Sequence, residues 1–135
     1  MDRRDAEVIS ELRLRLETQA RALGVEVEFE VREGRAAGAA SMPSLHCRTP
    51  GVDATVELYV EDAVLAWIEV RRVEWMHSDL ADYRLDWLGS EAGVRWLGDL
   101  VSGRWTVERR PRFLGFRRLR TSGGGPSLRV TRTSG

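Results

Sequence analysis

The sequence has no lysine and no asparagine, and only one glutamine and one cysteine among its 135 residues. Lysine, asparagine and isoleucine are encoded by AT-rich codons, so an all-arginine set of basic residues marks GC-rich coding before it marks chemistry. Arginine at any one position is therefore weak evidence for a guanidinium-specific role. The lone Cys47 excludes an internal disulfide. With only His46 beside it and His77 further on, it also excludes a structural zinc site of the usual four-ligand spacing. No run of about eighteen apolar residues occurs, which excludes an ordinary membrane-spanning helix, and Met1-Asp2-Arg3-Arg4-Asp5 lacks the basic-then-apolar order of a secretory signal. The expectation is a cytoplasmic protein with no membrane partner. A phosphate-binding Walker loop, a dinucleotide fingerprint, a zinc-protease helix and a calcium loop are all missing. The glycine triplet at 123–125 has no helical pattern after it and reads as a linker.

What is present suits a folded protein. At 15.3 kDa the chain is long enough for one domain and too short for two ordinary ones, and five tryptophans supply aromatic bulk for a core. Residues 5–23 read as an amphipathic helix, with Ile9, Leu12, Leu16, Ala20 and Leu23 at three- and four-residue steps and Gly24 at its end. From Val25 the period changes to two: Val25, Val27, Phe29 and Val31 alternate with charged residues, the mark of a strand with one buried face. Glu33-Gly34 offers a turn, 36–41 a weak return strand, and 42–50, with two prolines, a long loop. Alternation over 52–60 and 63–73 predicts a hairpin at the centre of the sheet, with Glu61-Asp62 as its tight connection. Helical spacing recurs over 79–102, interrupted at Gly89-Ser90 and closed by Gly103. Residues 104–110 and 113–120 read as further strands, and 121–135 as a flexible Gly/Ser/Arg tail. The reading is α+β: an N-terminal helix, a central antiparallel or mixed sheet of four to six strands, and a helical segment before the last strands, in one domain over 1–120.

One order of elements carries a chemical suggestion. Pro50-Gly51-Val52-Asp53 opens one strand and Glu69-Val70-Arg71 ends the next, after a first helix and before a second. Over 5–110 this resembles the core of the restriction-endonuclease-like nucleases. The resemblance implies Asp53 and Glu69 as Mg²⁺ ligands, Glu17 as a possible third, and Arg71 where the family has lysine. Two converging carboxylates hold the metal in such a site. Arginine stays protonated at working pH, so Arg71 can steady charge but cannot shuttle a proton. The same residues also fit a plain wet sheet face, with Asp53, Thr55, Glu57 and Tyr59 on one strand and Leu65, Trp67, Glu69 and Arg71 on the next. His77-Ser78-Asp79 holds the residue types of a hydrolytic triad, but adjacent residues cannot converge as a triad must, and Ser78 or Asp79 reads as a helix cap. Cys47 beside His46 is a thiol without a supporting acid.

The formal net charge of zero hides a segregation. Residues 1–103 balance to −8 and residues 104–135 to +8. Asp79, Asp82 and Asp86 form an acidic stripe suited to docking a basic protein. Arg109, Arg110, Arg112, Arg117, Arg118 and Arg120, interleaved with Trp105, Phe113 and Phe116, form a segment compatible with nucleic acid. The same basic segment also suits pairing with the acidic body of its own domain. With no complete catalytic constellation and no cofactor motif, the leading expectation is a small non-catalytic protein-interaction module of adaptor, toxin-neutralising or accessory type. The alternative is a nucleic-acid-associated protein with a degenerate nuclease-like core and Mg²⁺ at Asp53 and Glu69.

Overall fold

Asp2 starts the first helix. Its carboxylate accepts a hydrogen bond from the Arg4 backbone N–H at 2.8 Å, satisfying a donor that the helix itself leaves unpaired. The computed structural model, which describes residues 2–37, 40–72, 77–78, 90–108 and 117–131, carries this helix, α1, from Arg3 to Leu23. Gly24 ends it in the left-handed region at φ 69°, a conformation that costs glycine least. The buried stripe is Ile9, Leu12, Leu16 and Ala20, as the spacing predicts. Each such leucine, fully withdrawn from water, contributes about 1.5–3 kcal/mol.

Four antiparallel strands follow in chain order and in spatial order: β1 (Glu28–Ala37), β2 (Ala40–Thr49), β3 (Ala54–Glu61) and β4 (Val64–Arg72). A 3₁₀ turn, Pro50–Val52, joins β2 to β3. A second antiparallel sheet has the order β5-β8-β7-β6, from His77–Ser78, Leu128–Thr131, Arg117–Thr121 and Trp105–Val107. Between β5 and β6 lies α2, Glu91–Val101, capped by the Ser90 hydroxyl, which accepts from the Gly93 N–H at 3.1 Å. The α+β expectation holds, with the strands divided over two sheets among the described residues. None of the described helices is long and apolar enough to cross a membrane.

Three expectations about segments need correction. The loop expected over 42–50 is most of β2, which with β3 forms the middle of the first sheet, while β4, expected near the centre, is an edge. Pro43 is tolerated because it falls where the β1–β2 register shifts and before the β3 pairing begins at Ser44, so no ladder bond needs its missing N–H. The turn expected at Glu33-Gly34 is instead that register shift within a continuing β1. The stretch expected as a tail from 121 carries β8, which pairs with β7 and places Leu128 in the core. Its approach is fixed by Trp96, whose indole N–H donates to the Pro126 carbonyl at 2.9 Å. A Cβ at Gly125 would lie 2.9 Å from the Trp96 ring, so the crossing demands glycine.

One core joins these parts. Ile9, Leu12 and Leu16 of α1, Leu45, Val56, Leu58 and Ile68 of the first sheet, Leu97 and Leu100 of α2, and Leu119 and Leu128 of the second sheet form one buried cluster. Thr49 at the end of β2 donates its hydroxyl to the Val101 carbonyl at the end of α2. The β3–β4 turn is a two-residue one, with Asp62 and Ala63 both at positive φ (51° and 59°), as a type I′ hairpin requires. Asp5 of α1 reaches this turn and accepts a hydrogen bond from the Ala63 N–H at 2.6 Å, tying hairpin to helix.

Two stability predictions follow from that turn. Replacing Asp5 by alanine leaves a partly buried N–H without its acceptor and should cost about 1–3 kcal/mol in urea unfolding. Ala63→Gly removes the left-handed strain on an alanine and should gain about 0.5–1 kcal/mol.

Candidate functional site

Alternation along the first sheet sends one set of side chains to the helices and the other to the opposite face. Leu45 and Cys47 of β2 point into the core, while Ser44 and His46 point outward. On β3, Val56, Leu58 and Val60 point in, and Thr55, Glu57 and Tyr59 line an outer cleft. Strand β4 would have broken the pattern, because Leu65 and Ile68, both fully buried, are three residues apart. A bulge absorbs the extra residue: Val60 pairs with Leu65, but Tyr59 pairs with Trp67. From there onward Glu69 and Arg71 lie on the outer face, and Glu69 stands directly opposite Glu57. Leu65, expected on the same face as Trp67, is therefore in the core.

The resulting cleft, of about 150 Å³, is lined by Arg32, His46, Thr55, Glu57, Tyr59, Glu69 and Arg71. Glu57 is its centre and is only 7% exposed. His46 Nδ1 lies 2.8 Å from Glu57 Oε1, Arg32 Nη1 donates to the same oxygen at 3.3 Å, and the Ser44 hydroxyl donates to Oε2 at 3.2 Å. The Tyr59 hydroxyl lies between the two carboxylates. It donates to Glu69 Oε2 at 3.4 Å, and its single proton serves one acceptor at a time. Arg71 Nη2 reaches Glu69 Oε2 at 3.5 Å from a side chain that is otherwise 65% exposed. Beside the cleft, Met42, Ala66 and Trp67 pack around Tyr59.

The electrostatics follow from this geometry. Burial alone would raise the Glu57 carboxyl, but hydrogen bonds from His46, Tyr59 and Ser44, with the attraction of His46, outweigh it and hold the group down to about 2. Burial and the two neighbouring carboxylates push the Tyr59 hydroxyl well above the ordinary tyrosine range. His46 presents Nδ1 to Glu57, which leaves Nε2 for a ligand or a proton. Among the described residues no nucleophile is poised against it: Ser44 is fully buried and committed to Glu57. Cys47, its chain neighbour, points to the other face. Its thiol is buried and pushed up by that burial and by Glu57, so it is an inert core residue.

The residues singled out from the sequence are placed apart. Asp53 sits at the end of the 3₁₀ turn at φ 51°, exposed, and does not line the cleft. Glu69 is level with Glu57, four residues further along the hairpin, which at strand rise is roughly 13 Å away. Glu17 lies on the helix side of the sheet, where it pairs with Arg13 at 2.8 Å. The structure brings neither Asp53 nor Glu17 to Glu69, and among the described residues no group of three histidine, cysteine or acidic side chains is placed to hold a metal ion. Asp79, Asp82, Asp86, Arg109, Arg110, Arg112, Phe113 and Phe116 lie outside the described residues. Arg117 enters β7 with its backbone. Arg118 donates to the Ser127 hydroxyl at 3.0 Å, Arg120 pairs with Glu108, and Arg104 pairs with Asp99 at 3.5 Å. Trp105 packs against the core and carries the Arg72 guanidinium over its ring at 5.4 Å.

Arg32, Ser44 and His46 are the site residues that sequence reasoning missed. A signal for two of them was present in β2, where Leu45 and Cys47 alternate with Ser44, His46 and Arg48. No family model, curated protein or solved structure gives a significant match to this chain.

The Glu57 carboxyl is lowered in the folded state, so its contribution to stability is complete above its ordinary value of 4.5 and is lost as pH falls toward 2. The shift corresponds to something on the order of 3 kcal/mol. Urea unfolding of wild type and Glu57→Gln should differ by that order at pH 7, and the difference should shrink as pH is lowered from about 5 to about 2.

Proposed function

We propose that this chain is a small non-catalytic protein-interaction module that receives a partner's side chain in the outer cleft of its first sheet. The size and wiring of the cleft support this reading. At about 150 Å³ it lies below the range of roughly 300–1,000 Å³ usual for small-molecule sites, and it suits one protruding side chain. Its two carboxylates are already engaged, Glu57 by Arg32, His46 and Ser44, and Glu69 by Tyr59 and Arg71. The capacity left over is mostly that of donors: the Thr55 hydroxyl and the exposed guanidinium of Arg71. An acceptor side chain, aspartate or glutamate, is the complementary occupant.

Reversing the rim charge tests the reading. Wild type and Arg71→Glu, immobilised in parallel, are exposed to extract and compared by quantitative mass spectrometry, with circular dichroism confirming the fold. A partner held through the cleft should bind Arg71→Glu about tenfold more weakly or worse, through loss of attraction and a like charge beside Glu69. Equal retention of every protein by the two baits would overturn the cleft as the docking site.

A further inference from the structure

The first sheet ends at β1, and no strand pairs with its outer edge among the described residues. An open edge is a template for another strand; β1 contains no proline, and the register shift between Arg32 and Arg35 leaves Glu28 to Arg32 as its regular stretch. The surface beside it has an apolar floor between charged walls of Arg13, Glu17, Arg21 and Glu26. Between α1 and β1 runs a groove of about 340 Å³ whose floor is Ala20, Val25, Val27 and Phe29. Val31 is 38% exposed at the end of this stripe. Leu14, 65% exposed, lies on the same side of α1 as Arg21, which lines the groove. These are two of the three exposed large hydrophobic residues among those described, the third being Val64.

We propose that β1 pairs antiparallel with β1 of a second copy of this chain, about a two-fold axis at Val31, joining two four-stranded sheets into one of eight strands. Charge selects the occupant and the register. A two-fold pairing must keep apolar face against apolar face, so the axis falls on a residue and directly opposed residues share a face. Centred on Glu30, the pairing sets Glu30 against its own copy; centred on Arg32, it sets Arg32 against its own copy. Both place like charges in contact. Centred on Val31, Glu30 faces Arg32 of the second copy and Arg32 faces its Glu30, while Val31 meets Val31 on the apolar face. Glu30, 64% exposed in its side chain, meets Arg32 of its own chain at Oε2, and a carboxylate has a second oxygen with which to make the contact. Arg32 already joins Glu30 and Glu57 within the chain and has further N–H groups to share.

Light scattering after size exclusion, over a micromolar to submillimolar series, should give a species of twice the 15.3 kDa chain mass. Val31→Lys should return it to the mass of one chain with an unchanged circular dichroism spectrum. Register is tested by oxidation. Directly opposed residues of an antiparallel pair have Cα atoms about 4.5–5.5 Å apart, within disulfide reach, so Val31→Cys should cross-link to a covalent dimer. Val64→Cys, equally exposed at 38%, should not, and the native Cys47 is buried and does not interfere. A wild-type mass of one chain throughout the series, or equal cross-linking at positions 31 and 64, overturns the proposal.

Discussion

A carboxylate withdrawn from water at the middle of a β-sheet must be compensated where it stands, and Glu57 sets this requirement for the first sheet. Each strand supplies part of the answer. Arg32 comes from β1, Ser44 and His46 from β2, and Tyr59 from β3 itself, with Glu69 and Arg71 of β4 joined through the Tyr59 hydroxyl. The group therefore works as a unit. Taking away the carboxylate would leave Arg32 Nη1, an imidazole and a fully buried hydroxyl without this acceptor, and such orphaned groups cost more than the bonds contribute. This network holds the outer face in one arrangement, much as Leu45, Val56, Leu58 and Ile68 hold the inner one.

The pairing of Glu57 with Glu69 depends on a single extra residue. A two-residue turn at Asp62-Ala63 without irregularity would have set Glu57 opposite Ile68 and turned β4 over. The bulge at Ala66-Trp67 lets Leu65 and Ile68 both enter the core and brings Glu69 level with Glu57. Two carboxylates in directly opposed positions repel. That repulsion is offset by Arg32 and His46 on one side, Arg71 on the other, and a tyrosine proton between them. Core packing thus dictates the register, and the register dictates the polar chemistry.

Periodicity made much of this legible. The spacing of Ile9, Leu12 and Leu16 and the alternation from Val25 to Val31 predicted α1 and the regular part of β1, because α1 buries one stripe fully and β1 turns one face, half-buried at Val27 and Phe29, toward the core. Val56 and Leu58 gave β3 for the same reason. What failed was whatever depends on a local exception. Pro43 argued for a loop, and its position at a register shift, which makes it harmless, is a tertiary fact. The bulge in β4 left no local mark except that Leu65 and Ile68 are three apart. The glycine run after Thr121 reads as a tail unless one knows that Trp96 needs a residue without a side chain at Gly125. The candidate site was half visible. Glu57, Tyr59, Glu69 and Arg71 were on the expected faces, but the nuclease-like resemblance directed attention to Asp53, which the 3₁₀ turn carries out of the sheet. His46 comes from β2, whose pairing with β3 no local pattern announces, and Arg32 reaches Glu57 from β1 on the far side of β2.

Arg32 belongs both to the cleft and to the edge of the sheet, and this makes the two surfaces dependent on each other. Its Nη1 is committed to Glu57, and its Nε and Nη2 to Glu30, so it is already held in place before anything approaches β1. A strand that pairs there meets a preorganised guanidinium and does not bear the full entropy cost of ordering one. The reverse also holds. A second carboxylate brought to Arg32 at the edge competes with Glu57 for its N–H groups, and His46 is the other partner of the same oxygen, at 2.8 Å. A strand at the edge would therefore bear on the cleft through Arg32, the side chain that the two surfaces share.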